Sequence, residues 1–394
     1  MSGTDGTDYE RIPYLVVFED ASPYRDTYGG AGEHVVLESF LLKPRHGTSD
    51  TVIVFMHPIG GGAYLPMTNA LPRAGHHVIY CNSRYRGTDA ALIMEKVVED
   101  LGACIQDARE RLGYTNVILA GWSGGGALSL FYQQQAQHGT VTATPAGDPP
   151  DLTTLDLPPA DGIMLLAAHV SRHGTLTEWM DASILDESDP SKRDHELDLY
   201  DPTNPNQPPY SEDFLAHYRE AQVARNRRIT AWVRETLEQL RTSGREQEER
   251  GFVTHGTMAD PRWLDPAVDP NDRVPGACYL GDPRIVNNGP VGLARFSTLR
   301  SWLSQWGYDE ARADGVRCAA DLQVPALLIA NTADDACTPS HHQRLFEAIG
   351  HHDRTLRTIE GATHYYAGAG QRPHLGLAVE TITAWMGERG WVNT

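Results

Sequence analysis

Cysteine is scarce and poorly placed for either a disulfide framework or a zinc site. The five residues, Cys81, Cys104, Cys278, Cys318 and Cys337, are odd in number, widely spaced and form no CxxC pair. Reduced thiols in a cytoplasmic setting are the simpler expectation. Long apolar runs are also missing. No stretch approaches the roughly 18 residues of a membrane span, and mean hydropathy is −0.41. The opening residues, MSGTDGTDYER, are polar and acidic. They lack the basic patch and apolar stretch of a secretory signal, so export by that route is not expected. Positive charge is in deficit: 52 acidic against 33 basic residues leave a formal charge of −19. Such a chain repels a phosphate backbone or anionic lipid, which argues against nucleic acid as a partner.

What is present is 394 residues with 40% hydrophobic content, enough for one large core plus an inserted region. Tyr14–Phe18 and His34–Leu42 read as strands. Val52–Met56, Val78–Cys81, Val117–Ala120, Ile163–Ala167 and Ala326–Ala330 are short continuous apolar runs, as strands buried on both faces require. Helical spacing appears over 91–112, 127–137 and 375–387. Strands alternating with helices imply an α/β fold with a mostly parallel, doubly covered sheet. The pattern breaks after Ala168 and resumes near Leu322. The reading is a core in two parts, 1–170 and 311–394, with a mainly helical cap inserted at 171–310. Ser211–Arg241 reads as one long capped helix in that insertion. Its Arg225, Arg227, Arg228 and Arg234 are expected on a solvated face. Thr142–Pro159 reads as a Pro-rich surface loop.

The sharpest motif is Gly121-Trp122-Ser123-Gly124-Gly125. It directly follows the VILA strand and precedes a helix. A tight strand-to-helix turn thrusts its serine out of the sheet, and small neighbours are needed where a side chain would strike backbone. A serine hydroxyl is a weak nucleophile at neutral pH and needs a base, which in turn needs an orienter. Of 17 histidines, His364 is selected by its loop between the 355–359 strand and the last helix. The acid candidate follows the Pro325–Ala330 strand. Asp334 lies closer to the strand end; Asp335 is the alternative acid and otherwise faces solvent or caps the next helix.

The order Ser123, Asp334, His364 resembles that of the α/β-hydrolase fold serine hydrolases, the esterase and lipase-like superfamily, over about 30–170 and 310–394. His57-Pro58-Ile59-Gly60-Gly61-Gly62 is similar to the family's oxyanion loop, with Pro58 replacing its first glycine. Proline has no N–H, so the resemblance implies Ile59 or Gly60 as one oxyanion donor and Gly124 as the other. His57, Trp122, His169 and Tyr85 are candidates to line the substrate pocket, and Arg84 and Arg86 to tie loops by salt bridges.

The expected activity is cleavage of a small carboxylic ester through an acyl-enzyme on Ser123. Thioester, lactone, amide or carbon–carbon bond hydrolysis needs no other residues. Aspartate would stand at position 123 in a dehalogenase or epoxide hydrolase. The reading from another class is a non-catalytic ligand-binding protein on the same fold, which could dispense with serine, acid or histidine. No cofactor is expected. Neither is a metal, because His76-His77, His341-His342 and His351-His352 are adjacent pairs that point apart. A homo-oligomer is compatible with the sequence, which does not decide oligomeric state. The middle-block aromatics Trp179, Tyr210, Phe214, Tyr218, Trp232 and Trp263 either roof a pocket or pack the cap.

Overall fold

The computed structural model describes residues 9–20, 22, 34–60 and 62–392. Most of the acidic opening stretch, and Gly61, lie outside them. The first half of the chain forms β1 (Tyr9–Glu19), β2 (His34–Pro44), β3 (Thr51–Phe55), α1 (Pro66–Arg73), β4 (His77–Cys81), α2 (Met94–Glu110), β5 (Asn116–Ser123), α3 (Gly124–Gln137) and β6 (Gly162–Ala168). Then come α4 (Arg172–Trp179), α5 (Glu212–Thr242), β7 (Gly251–Val253), α6 (Pro261–Leu264), α7 (Pro283–Val286), β8 (Phe296–Thr298), α8 (Leu299–Gln305) and α9 (Gly315–Ala320). The chain closes with β9 (Ala326–Asn331), α10 (Pro339–Ala348), β10 (Arg354–Ile359) and α11 (Gln371–Gly387).

Eight strands make one sheet in the order β1-β2-β4-β3-β5-β6-β9-β10. β2 runs antiparallel to both its neighbours, and β4, β3, β5, β6, β9 and β10 are mutually parallel. Alternate residues of the apolar runs feed opposite layers. Val52, Val54, Val117, Leu119, Ile163 and Leu165 meet α2 and α3 on one face. Ile53, Phe55, Ile118, Met164, Leu327 and Ile329 meet α1 and α11 on the other. Each such aliphatic side chain contributes about 1.5–3 kcal/mol relative to exposure. Strand order reverses between β3 and β5, which opens a crevice at the carboxyl ends of the strands.

The segment between β6 and β9 holds α4 to α9 and only the short antiparallel pair β7–β8. α5 begins where Ser211 Oγ accepts the Phe214 amide, with Glu212 and Asp213 in its first turn complementing the helix dipole. Its inward stripe runs Phe214, Tyr218, Gln222, Arg225, Ile229, Val233, Leu237, Leu240. That stripe includes Arg225, against the expectation of a solvated face. Arg225 is buried, ion-paired with Glu187, and donates to the carbonyls of Asp181, His255 and Gly256. Position 225 sits one turn from both 222 and 229, so the core side of the helix carries it inward. Arg227, Arg228 and Arg234 pair at the surface with Asp309, Glu187 and Glu310.

The stretch 142–159 is a surface loop, mostly exposed or half-buried, anchored by a few buried side chains. Ala146 packs with α5 and α8, while Leu152 and Leu157 enter the core beneath α2. No described helix is long and apolar enough to cross a membrane.

Candidate active site

Each parallel strand around the crevice delivers one candidate side chain just past its carboxyl end. β5 ends on Ser123, β9 is followed by Asp334, and β10 is followed by His364. β3 is followed by His57, and β6 by His169. Adjacent pairing therefore gathers residues that are far apart in sequence.

Ser123 occupies a left-handed backbone conformation, φ 53°, at a register shift between β5 and β6. The glycines around it are sterically required. A Cβ on Gly121 would lie 2.5 Å from the Gly125 carbonyl oxygen, and one on Gly125 would lie 2.8 Å from that of Met56. Neither backbone contact can yield without reshaping the turn.

His364 Nε2 lies 3.2 Å from Ser123 Oγ, and its Nδ1 lies 2.7 Å from Asp334 Oδ2. The other carboxylate oxygen, Asp334 Oδ1, accepts the amides of Ala336 and Cys337, both at 2.8 Å. Asn331 couples the two loops: its Nδ2 donates to the Thr363 carbonyl, and its Oδ1 accepts from Tyr366 Oη. Trp122 lies against the His364 ring at 4.7 Å between centroids and donates its indole N–H to the His364 carbonyl.

Asp335 has no bond to His364, nor does it cap α10 or stand free in solvent. It is half-buried, and its backbone carbonyl accepts the Trp263 indole N–H. Burial, then the neighbouring Asp334, push its carboxyl from the ordinary 3.8 up to about 6, against the opposing pull of His364 and Arg273. A raised carboxyl pKa in the folded state means that stability falls as pH rises through that window. Asp335→Asn should therefore raise the melting temperature at pH 8, and the gain should shrink as pH falls through about 6 and vanish only well below 3.8, where the carboxyl is neutral folded and unfolded. Melting curves of both proteins across that range check it.

Of the two amides considered on the β3 loop, that of Gly60 is committed to the His57 carbonyl at 2.8 Å. The Ile59 amide has only a long contact, 3.4 Å, to His57 Nδ1. It is the freer donor, and Ile59 lines the cavity with Gly124 at the start of α3. His57 lines it too. Burial, the Arg172 guanidinium and the His364 ring push its imidazole down to about 3. Burial, with His341, His364 and Arg172 nearby, holds His169 well below the usual range, and its Nδ1 lies 3.3 Å from Cys337 Sγ. Burial thus disfavours the charged form of both rings.

Tyr85 does not reach the cavity. It is packed in the core with Ile93 and Met94, because the Arg84 cluster with Asp20, Glu99 and Asp100 pins its loop inward. Arg86 pairs with Glu38. Trp179 is the one middle-block aromatic among those considered that lines the cavity. Tyr210, Phe214 and Tyr218 stack in a separate cluster, Trp263 packs behind Trp179, and Trp232 is exposed.

The sequence reading misses Arg172, Asp89, Tyr64, Tyr279 and Tyr365, which complete the walls. Arg172 carried a signal, since it follows the β6 run by only four residues. Tyr279 carried none. The cavity is about 120 Å³. Among the described residues, one cluster gathers three metal-type ligands: Asp334, Cys337 and His364. The carboxylate and imidazole already bond each other, and burial keeps the Cys337 thiol protonated.

No protein-family model matches the sequence, and no curated protein matches it. Among solved structures, the α/β hydrolase GrgF from Penicillium sp. sh18 is similar over 95% of this chain and 99% of its own, with 10% identity and a TM-score of 0.50. The siderophore hydrolase EstB from Aspergillus fumigatus is similar over 89% and 94%, with 12% identity and a TM-score of 0.49. Est1E from Butyrivibrio proteoclasticus is similar over 90% and 94%, with 12% identity and a TM-score of 0.46. The chain has the α/β-hydrolase fold. Its sheet is the eight-stranded, mostly parallel form of that fold, with a helical insertion after β6.

Proposed function

We propose that this protein is a serine hydrolase that cleaves a small carboxylic ester through an acyl-enzyme on Ser123. The observation that carries the reading is the continuous hydrogen-bonded line from Ser123 Oγ through His364 to Asp334, set at the crevice of the sheet. His364 Nε2 takes the hydroxyl proton as Oγ attacks the ester carbonyl. The oxyanion that forms is met by the amides of Gly124 and Ile59. Collapse of the tetrahedral intermediate expels the alcohol, which leaves with the proton from His364. Water, deprotonated by the same imidazole, then attacks the acyl carbon and releases the acid. Asp334 holds Nδ1–H and stabilises the imidazolium in both halves.

The cavity over Ser123 is small, about 120 Å³, which favours short acyl groups. A fluorophosphonate should label Ser123 and no other residue, as read by peptide mass spectrometry. Across p-nitrophenyl esters, kcat/KM should be highest for acetate to butyrate and fall steeply towards octanoate. Absence of labelling at Ser123 would overturn the reading. Faster turnover of a thioester, lactone, amide or carbon–carbon substrate in the same panel would move the leaving group and keep the nucleophile.

A further inference from the structure

Arg172 is a fixed charge facing the reacting groups. It opens α4 and is positioned by Ser171, whose Oγ accepts the Gly174 amide and caps the helix. Its side chain is buried. One nitrogen, Nη2, is paired with Asp89 at 2.8 Å, and the guanidinium carbon lies 4.4 Å from the centre of the Trp306 ring. Nε is buried with no hydrogen-bond partner. Nη1 turns to the first residue after Ser123. A Cβ placed on Gly124 would meet His57 Nε2 at 3.1 Å and Arg172 Nη1 at 3.4 Å. Both groups therefore overlook the start of α3, beside the amide assigned to the oxyanion.

A guanidinium has five donors in a rigid planar fork that matches a carboxylate. Burial lowers the Arg172 pKa, so a counter-charge at Nη1, the donor beside the cavity, is favourable, while Nε stays unfilled in either case. Asp89 answers one edge of the fork only. The imidazoles around the pocket, His57, His169 and His364, supply no counter-charge. The space in front of Nη1 is the small cavity over Ser123, also lined by Tyr279 and Tyr365.

We propose that Arg172 is the anion-recognition residue of this pocket, and that the substrate carries a carboxylate close to its scissile carbonyl, as in the half-ester of a short dicarboxylic acid. The substrate carboxylate occupies the Nη1 side of the fork while Asp89 retains Nη2. This inference rests on Ser123 being the nucleophile, and that reading is tested separately by fluorophosphonate labelling.

Two measurements address the carboxylate itself. Calorimetric titration of the wild-type protein with succinate and with succinamide requires no turnover. Succinate should bind at least about tenfold more tightly, the scale of a hydrogen bond to a charged group. Equal binding, or tighter binding of succinamide, would overturn the proposal even where Ser123 is labelled. Methanol release then compares monomethyl succinate with methyl butyrate. Arg172→Gln should cut kcat/KM for the anionic ester at least about tenfold through KM, with methyl butyrate changed far less. An equal loss on both esters, with wild-type melting, would assign Arg172 to the reacting oxygen and sink the substrate claim. Arg172→Lys keeps the charge without the fork and guards against misfolding of the glutamine variant; it should keep part of the preference for the anionic ester.

Discussion

Replacing Ser123 by alanine should lower kcat by about a millionfold, the scale seen when a triad nucleophile is removed, with little change in melting temperature. The two halves of this expectation have separate causes. The hydroxyl is the only atom lost, and its hydrogen-bond partner is His364 Nε2 at 3.2 Å. The strained turn does not depend on that oxygen. Alanine presents the same Cβ at φ 53°, and the turn is held by the register shift against β6 and by the close approach of Gly121 to Gly125. Turnover of a short ester and a thermal melt on one preparation check both halves. Full activity in the alanine variant would remove Ser123 from the mechanism, and fluorophosphonate labelling should disappear with it.

The second large effect separates two neighbouring carboxylates. Asp334→Asn should reduce kcat by about ten-thousandfold, and Asp335→Asn by less than about threefold, in line with a substitution outside the hydrogen-bonded line. The reason lies in what surrounds position 334. Oδ1 accepts two backbone amides, from Ala336 and Cys337. An asparagine would keep its oxygen on those amides and turn its NH₂ towards His364 Nδ1. That nitrogen would have to accept, so the proton would move to Nε2, which could then no longer take the Ser123 proton. Asp335 has no comparable contact with the ring. Steady-state kinetics of the two variants decide the assignment. Comparable losses in both would mean that the acid is shared.

Chain order and strand pattern make Ser123, His364 and the Asp334–Asp335 pair legible as candidates in the amino-acid sequence. Each follows a short apolar run or strand near the end of a repeating strand–helix unit, and parallel strands share one functional edge. The same rule reaches His57 and His169. It fails at Tyr85, because which way a loop side chain turns is settled by neighbours such as Arg84 and its three carboxylates. It also fails at Arg225, where a charged residue on an inward stripe finds carbonyls and Glu187 from elsewhere in the insertion.

The sequence by itself determines the alternation of strands and helices, the glycine-framed serine and the chain order of its partners. These are local signals: apolar runs, turn chemistry and spacing survive without tertiary context. Tertiary structure alone decides that Asp334 and not Asp335 meets the imidazole, that Ile59 has the freer amide, and that Arg172 stands over Gly124. Each of those depends on contacts between segments tens to hundreds of residues apart. Direction and burial at that separation are properties of the packed molecule, with no counterpart in the linear chain.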